Sequence, residues 1–326
     1  MTGFASRSLA CCVLLLAQAG CSTQLLRDAE ARQPRVEIGN VPYFPQRAHQ
    51  CGPAALATLL GAAGADVSPD TLAHEVYIPG RQGSVQAEML AAARRHDRIA
   101  LPLAPDLESL VAELEHGHAV LVLQNFGLPS LPLWHYAVVV GYDRERDELL
   151  LSGANGQARR VAARRFAGTW SRADNWAFMA LRPGELPAGA PARYLDAVAA
   201  LESLGQGEAA YVSYQAAVRQ WPAEPLAWFA LANNRLAAGR NNEAEAAYRE
   251  VLRVQADHLP SRNNLALLLA HRGCIAEAIA VLEPARAAAG NGPFATQIAE
   301  SWREIQALRT ADVPAAAAVR PECRPP

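Results

Sequence analysis

The fold is decided by residues 41–60, whose sequence is VPYFPQRAHQCGPAALATLL. A glycine, a proline and a run of alanine and leucine follow Cys51, so the pattern predicts a buried helix with Pro53 in its first turn. A thiol at this position faces the positive end of the helix dipole, which favours the nucleophilic thiolate. The alternative is a small buried cysteine that packs like any other apolar residue.

The region around this stretch begins with helices and continues with strands. Helices are predicted at residues 68–77, 84–96 and 106–115. Apolar and β-branched segments predict the strands, which are residues 99–103, 119–123, 134–143, 148–152, 159–162 and 176–181. Helices followed by an antiparallel sheet are typical of an α+β domain, here residues 41–183.

A histidine stands at the entrance of the longest predicted strand. His135 precedes the apolar run Ala137 to Val140, and such a histidine is often only structural. A cysteine at a helix start with a histidine at a strand entrance is, however, the arrangement of papain-like cysteine hydrolases. The imidazole takes the proton of the thiol and later donates one to the leaving group.

These residues resemble the bacteriocin-leader-processing, double-glycine cysteine peptidases (the C39-like group). The resemblance covers about residues 41–183 and rests on Gln46, on Cys51-Gly52-Pro53-Ala54-Ala55-Leu56 and on His135-Tyr136-Ala137-Val138-Val139-Val140-Gly141-Tyr142. It implies a papain-like fold and a glutamine before the cysteine that donates to the oxyanion, for which Gln46 is the match. A solvated loop glutamine is the alternative for Gln46, and Gln50 is a weaker candidate.

The third residue of the family pattern is missing. The resemblance implies an aspartate on the strand after the histidine strand, where it orients the imidazole, but residues 149–155 contain no acid. Ser152 best matches the position, and Asn155 is near enough to orient a histidine through its amide. Loss of the carboxylate would lower the rate without necessarily abolishing activity, and an inactive enzyme is the alternative.

The N-terminus has the pattern of an export signal. One arginine precedes an apolar run in residues 1–20, and the run is too short to span a bilayer. Ala19-Gly20-Cys21-Ser22 resembles a bacterial lipoprotein box, which predicts a lipidated Cys21, with ordinary secretory cleavage as the alternative. Residues 21–40 are predicted to be a tether. Because Ser22 is not an aspartate, the predicted location is the outer membrane, facing the periplasm.

Composition excludes several classes of function. The chain has no lysine, and its 30 arginines nearly balance 32 acids, so the net charge of −2 gives no reason to bind nucleic acid. The histidines lack metal-ligand spacing and no phosphate-binding glycine motif occurs, so no metal and no cofactor are predicted. Outside residues 1–21 the cysteines are Cys51, Cys274 and Cys323. The last two could pair and leave Cys51 free, unless the tail that holds Cys323 is disordered.

The C-terminal half is repetitive and follows a Pro/Gly/Ala linker at residues 184–191. Three sets of residues recur at a spacing of 34, and they are Gly205, Gly239 and Gly273; Ala210, Ala244 and Ala278; and Tyr214, Tyr248 and Leu282. This period resembles the tetratricopeptide repeat, which implies an all-α solenoid. Residues 192–310 would form three units and a capping helix at 293–309, before a Pro/Ala-rich tail at 311–326.

The first helices of two units carry paired asparagines. A concave solenoid surface commonly holds a peptide or a partner protein. The side chains that could bind an extended peptide backbone are Asn233, Asn234, Asn263 and Asn264. A solvated helix surface is the equal alternative for these four residues.

Three functions compete at this stage. The first is a periplasmic, lipid-anchored thiol peptidase, or an amide acyltransferase of the same chemistry, that uses Cys51, His135 and Gln46. Its substrate is a peptide or protein, its repeats bind a peptide or partner, and its N-terminal lipid holds it to the membrane. The second is a weak or inactive peptidase-like adaptor that acts through its repeats, and the third is a scaffold that needs only the repeats.

Overall fold

The structure is a computed structural model that describes residues 25–28, 33–46, 49–189, 191–311 and 323. The predicted signal peptide, Cys21 and nearly all of the predicted tail lie outside the described residues. Within the described ranges, none of the helices is both long and apolar enough to cross a bilayer.

The N-terminal region is built on one antiparallel sheet. Its strands are β1 Arg35–Glu37, β2 Ile99–Pro102, β3 Val120–Asn125, β4 Trp134–Asp143, β5 Glu148–Leu151, β6 Arg159–Ala162 and β7 Ala177–Leu181. The order across the sheet is β2-β7-β3-β4-β5-β6, and β1 also pairs with β4. Strand β4 is central because its Ala137-to-Tyr142 segment is apolar and buried on both faces.

Helices cover both faces of this sheet, and they are α1 Leu25–Asp28, α2 Cys51–Ala62, α3 Pro69–Val76, α4 Gln86–Arg95, α5 Leu107–Glu115 and α6 Ala163–Ser171. Leu60 of α2 and Met89 of α4 pack with Leu121 on one face. Leu110 of α5 and Phe166 of α6 belong to the core on the other face. The predicted α+β class is therefore confirmed.

The segment predicted to be a tether is partly built into this domain. Leu26 is fully buried, and its backbone N–H donates to Asp147 Oδ1 at 2.9 Å. Val36 pairs with Tyr142, and the Ile38 N–H donates to the Val140 carbonyl at 2.7 Å. Residues 35–38 alternate polar and apolar side chains, but a strand this short gives too weak a pattern to be predicted with certainty from sequence.

The C-terminal part is entirely helical within the described residues. Its helices are α7 Pro191–Glu202, α8 Gly207–Gln220, α9 Pro225–Ala237, α10 Asn241–Val254, α11 Leu259–His271, α12 Ile275–Ala289 and α13 Ala295–Ala311. Helices α7, α9 and α11 begin 34 residues apart, as do α8, α10 and α12. The recurring Gly205, Gly239 and Gly273 all adopt positive φ, the left-handed conformation that ends each first helix. These features agree with the predicted all-α repeat.

A disulfide joins Cys274, at the start of α12, to Cys323. This confirms the pairing that the cysteine count allowed. Cys51 is the free cysteine of the described chain.

The sheet and the helical repeat share one hydrophobic core. Leu101 of β2 and Met179 of β7 pack in the same cluster as Tyr194, Val198 and Leu201 of α7. The neighbouring strand residues face the opposite way, toward α2 and α4. The outer strands of the sheet therefore lie between two layers of helices, one from each part of the chain.

Replacing Leu101 by alanine is expected to lower the free energy of unfolding by ~2–5 kcal/mol, since it leaves a cavity in this shared core. Unfolding in denaturant, monitored by tryptophan fluorescence and by far-UV circular dichroism, measures this change in the free energy of unfolding. The exposed Leu226 provides the control, because Leu226→Ala removes the same atoms from a site that is 49% exposed. Equal effects of the two substitutions would contradict the shared core.

Candidate active site

Cys51 is the first residue of α2, so its side chain lies at the N-terminal end of that helix. The thiol is free and half-buried, and it packs against the core cluster between α2 and the sheet. Burial, and then a charge on Cys51, raise the pKa of Tyr136. Cys51 and Tyr136, the residue that follows His135 in β4, line the same cavity.

His135 is the second residue of β4 and pairs in register with Gln124 of β3. Its ring packs against Phe126, with 5.4 Å between the ring centroids. Burial, and then the charge of Arg159, lower the pKa of His135 below its ordinary value. A lowered pKa keeps the imidazole neutral, which is the form that accepts a proton.

Two cavities border His135. The first cavity, of about 560 Å³, is lined by Cys51, His135 and Gln46 among others. The second cavity, of about 610 Å³, is lined by Gln46 and His135 and also by Ser152 and Asn155. Cys51, His135 and the exposed Gln46 thus line one cavity, and the two candidates for the third position line the other cavity with His135.

The third position of the site is polar and uncharged at both predicted residues. Ser152 follows β5 and its N–H donates to the Val138 carbonyl at 2.8 Å, which fixes its backbone beside β4. Asn155 lies in a short 3₁₀ turn with a φ of 57°. Both line the second cavity with His135. Among the described residues, neither side chain forms a hydrogen bond to the imidazole, so their role stays a prediction.

Arg159 is a functional candidate that sequence reasoning missed. It begins β6, directly opposite Leu151 at the end of β5, and it lines the second cavity with His135. The charge that acts on the imidazole is therefore a cation. The predicted strands at 148–152 and 159–162 indicate a hairpin that carries Arg159, but the register that sets it opposite Leu151 is not visible in the sequence.

Ser84 forms part of the wall of the first cavity, next to the start of α2. Tyr136 donates from its hydroxyl to the Ser84 carbonyl at 3.1 Å. The Ser84 Oγ is buried and has no hydrogen-bond partner among the described residues. It lies against Gly52, where an added Cβ would be 2.3 Å from Ser84 Oγ and 2.7 Å from Ser84 Cβ. Glycine beside Cys51 lets this wall approach the nucleophile.

Gly52→Ala is expected to lower the free energy of unfolding by ~1–3 kcal/mol, because Ser84 has to move and α2 is buried. Thermal unfolding measures the change. Gly168→Ala is the matched control, since Gly168 also lies in a helix but has no atom within 4 Å of its added Cβ. That control should stabilise by ~0.5–1 kcal/mol. A neutral Gly52→Ala would contradict the close contact.

One cavity is lined by Cys51 at a helix start, His135 at a strand entrance and Gln46. This combination is typical of a thiol hydrolase site. Residues 38–178 match the Peptidase_C39 like family. The helices and the antiparallel sheet of this region fit a C39-like, papain-like fold, so the fold class predicted from sequence is confirmed. No match was found among curated proteins.

Several solved structures are similar to parts of the chain. A protein of Bacillus anthracis described as a C39-like peptidase is 17% identical, with a TM-score of 0.38 over 46% of this chain and 98% of that one. A double glycine motif protease from an AMS/PCAT transporter, in complex with the leader peptide, is 18% identical, with a TM-score of 0.33 over 46% and 95%. The type III secretion translocator chaperone SycD of Yersinia enterocolitica is 19% identical, with a TM-score of 0.36 over 39% and 88%.

The four asparagines of the helical repeat bond within the repeat. Asn234 and Asn263 are buried, and the Asn234 amide donates to Glu202 Oε1 at 2.6 Å. Asn233 Oδ1 accepts from the Tyr248 hydroxyl at 2.6 Å and from Asn264 Nδ2 at 3.3 Å. Asn233 and Asn264 remain half-buried. Of the four, only these two are partly exposed to solvent.

No group of three or more metal-ligating side chains occurs among the described residues. His118 shows why histidine proximity alone is a poor guide. Its Nδ1 lies 2.8 Å from Glu113 Oε2, and Glu113 in turn accepts from the Ala188 N–H at 3.1 Å. This buried cluster ties the predicted linker at 184–191 to α5.

Proposed function

We propose that this protein is a thiol peptidase of the bacterial cell envelope, with a C39-like catalytic domain and a helical repeat that binds peptide or protein. The observation that supports it most is the first cavity, which is lined together by Cys51, His135 and Gln46. The cavity is open to solvent and borders the end of α2, so an extended peptide can reach the thiol.

In this proposal His135 acts as the general base and then as the general acid. It accepts the proton of Cys51 while the sulfur adds to the peptide carbonyl carbon, and it donates that proton to the leaving amine as the C–N bond breaks. Water then attacks the thioester, His135 accepts a proton from that water, and the proton returns to the sulfur. The enzyme ends each cycle unchanged.

Gln46 is proposed to stabilise the oxyanion. Its exposed side chain carries an amide that can donate to the carbonyl oxygen once charge develops on it. Loop residues such as Gln46 often become aligned only when substrate is bound, so its exposure in the free enzyme agrees with this role.

The proposed location is the periplasmic side of the outer membrane, with a lipid on Cys21. Support comes from the apolar N-terminal run and the lipoprotein-box resemblance. The disulfide between Cys274 and Cys323 adds support, since disulfides persist in oxidising compartments. Mass spectrometry of the protein from membrane fractions tests it, because a diacylglyceryl group on Cys21 has a defined mass.

The alternative function is an adaptor whose peptidase site is weak or inactive. The observation that favours it is Arg159, since a cation beside His135 opposes the imidazolium that forms during catalysis. Under this alternative the repeat is the functional part, and Asn233 and Asn264 on its surface contact the partner.

Alkylation of Cys51 decides between the two. The chain from Ser22 onward keeps every described residue, and Cys51 is then its sole free thiol because Cys274 and Cys323 are bonded. A working site should react with iodoacetamide at about pH 6 faster than the denatured chain, and His135→Ala should remove the difference. Wild-type reactivity equal to that of the denatured chain would support the adaptor instead.

A further inference from the structure

The hairpin between β3 and β4 is apolar and exposed to solvent. The segment Phe126-Gly127-Leu128-Pro129-Ser130-Leu131-Pro132-Leu133-Trp134 contains no charged residue. Its large side chains are exposed, with Leu128 at 67% and Leu131 at 77% at the tip. Exposed apolar patches of this kind mark interaction surfaces.

Most N–H groups of this hairpin are hydrogen-bonded within it. The N–H groups of Leu128 and Leu131 donate to each other's carbonyls at 3.2 and 3.1 Å. The buried Asn125 accepts from the N–H groups of Gly127 and Leu133 through Oδ1, at 2.9 Å each. Pro129 and Pro132 have no N–H. The Phe126 N–H donates to the Leu133 carbonyl at 2.9 Å, so five N–H groups of the segment are paired within the hairpin, which lowers the cost of moving its tip out of water.

Arginines surround the base of the hairpin. A groove beside Phe126 and Leu133 is lined by four exposed guanidinium side chains, those of Arg159, Arg164, Arg165 and Arg172. Arg172 Nε donates to the Asn125 carbonyl at 3.0 Å, which attaches it to the hairpin. Within the described part of the chain, no carboxylate pairs with the other three. The hairpin therefore combines an apolar tip with a cationic base.

We propose that this hairpin and its four arginines dock the protein on the surface of an anionic phospholipid bilayer. Leu128 and Leu131 enter the boundary between headgroups and acyl chains, and the guanidinium groups bind lipid phosphates. Trp134 is 51% exposed at the base of the hairpin, and in this proposal it contacts the membrane interface, which tryptophan favours.

A bilayer fits this surface better than a peptide does. Peptides and small ligands bind in concave sites, whereas this hairpin has its most exposed side chains, Leu128 and Leu131, at its tip. The charge is complementary to lipid phosphate, since all four side chains at the base are cations. Because Trp134 is followed by His135, docking would bring the active-site cavities to the membrane surface.

Vesicle co-sedimentation tests the proposal independently of hydrolysis and of any lipid on Cys21. The chain from Ser22 onward is mixed with vesicles of phosphatidylethanolamine and phosphatidylglycerol, or of phosphatidylcholine alone, at about 0.1 M salt. The expected result is binding to the anionic vesicles that weakens as salt rises. Absence of binding to the anionic vesicles would overturn the proposal.

Two pairs of variants locate the surface. Leu128→Ser with Leu131→Ser should weaken binding at least ~10-fold, while the exposed Leu204→Ser with Leu226→Ser should not change it. In the same assay, Arg164→Glu with Arg165→Glu should weaken binding ~10-fold or more, and the exposed pair Arg219→Glu with Arg303→Glu should have a smaller effect.

Two outcomes contradict the proposal beyond simple absence of binding. Serine substitution at the tip that leaves vesicle binding intact would place the membrane contact elsewhere. Tip variants that bind vesicles normally but raise the KM for a peptide would show that the hairpin is a substrate surface.

Discussion

Cys51→Ala is expected to lower the rate of peptide hydrolysis at least ~10³-fold, because the reaction loses its nucleophile and keeps only binding and oxyanion stabilisation. The thiol is half-buried at the end of α2, so its removal leaves little cavity. The melting temperature should therefore stay close to that of the wild type. The measurement is cleavage of internally quenched peptides that contain a central Gly-Gly pair, the sequence that the family resemblance suggests.

Cys51→Ser provides the matched control for this result. The hydroxyl keeps the size and polarity of the side chain but is a far weaker nucleophile than a thiolate, so this variant should be nearly as inactive as the alanine variant. Hydrolysis by Cys51→Ala within tenfold of the wild type would show that another group performs the chemistry.

His135→Ala is expected to lower the same rate by ~10²–10⁴-fold, the usual contribution of a positioned general base. The wild-type rate should rise with pH as His135 becomes neutral. Since burial and Arg159 both lower the pKa of His135 from its ordinary 6.5, the midpoint of this rise should lie below pH 6.5.

Arg159→Gln tests the electrostatic part of this expectation. Removing the cation removes one of the two causes that lower the pKa of His135, so the midpoint should move to higher pH while burial still holds it below 6.5. Arg219→Gln, an exposed arginine on α8, should leave the midpoint in place. A profile that does not respond to Arg159→Gln would contradict the placement of that charge.

If the cation limits the enzyme, Arg159→Gln should also raise the rate, because the imidazolium formed during attack is no longer opposed. An unchanged rate would show that this cation does not limit the enzyme. The pH profile of Arg159→Gln thus reports the charge that acts on the imidazole, and its rate reports whether that charge limits turnover.

The long periodic segments were predictable from the sequence. Strand β4 extends over the predicted residues 134–143 because a continuous β-branched run can only be buried in a sheet. The helical repeat was predictable for a different reason, since residues such as Gly239 recur at one spacing and fix each turn. Cys51 and His135 could be named because each begins such an element.

Contacts between distant segments could not be predicted. Strand β1 is only three residues long, and its partner lies about a hundred residues away, so no local pattern reveals it. Arg159 comes near His135 only through the register of two hairpins. The buried bonds of Asn234 are likewise invisible in sequence, where a helical asparagine looks like a solvated one.

The layer of helices from the repeat that covers β2 and β7 limits how this protein can be divided experimentally. A fragment that ends at residue 183 would leave four large apolar side chains, those of Ile99, Leu101, Met179 and Leu181, without their cover from α7. Such a fragment would self-associate through this uncovered apolar face. Loss of activity after truncation would then report aggregation, so the role of the repeat is better studied by point substitutions on its outer surface.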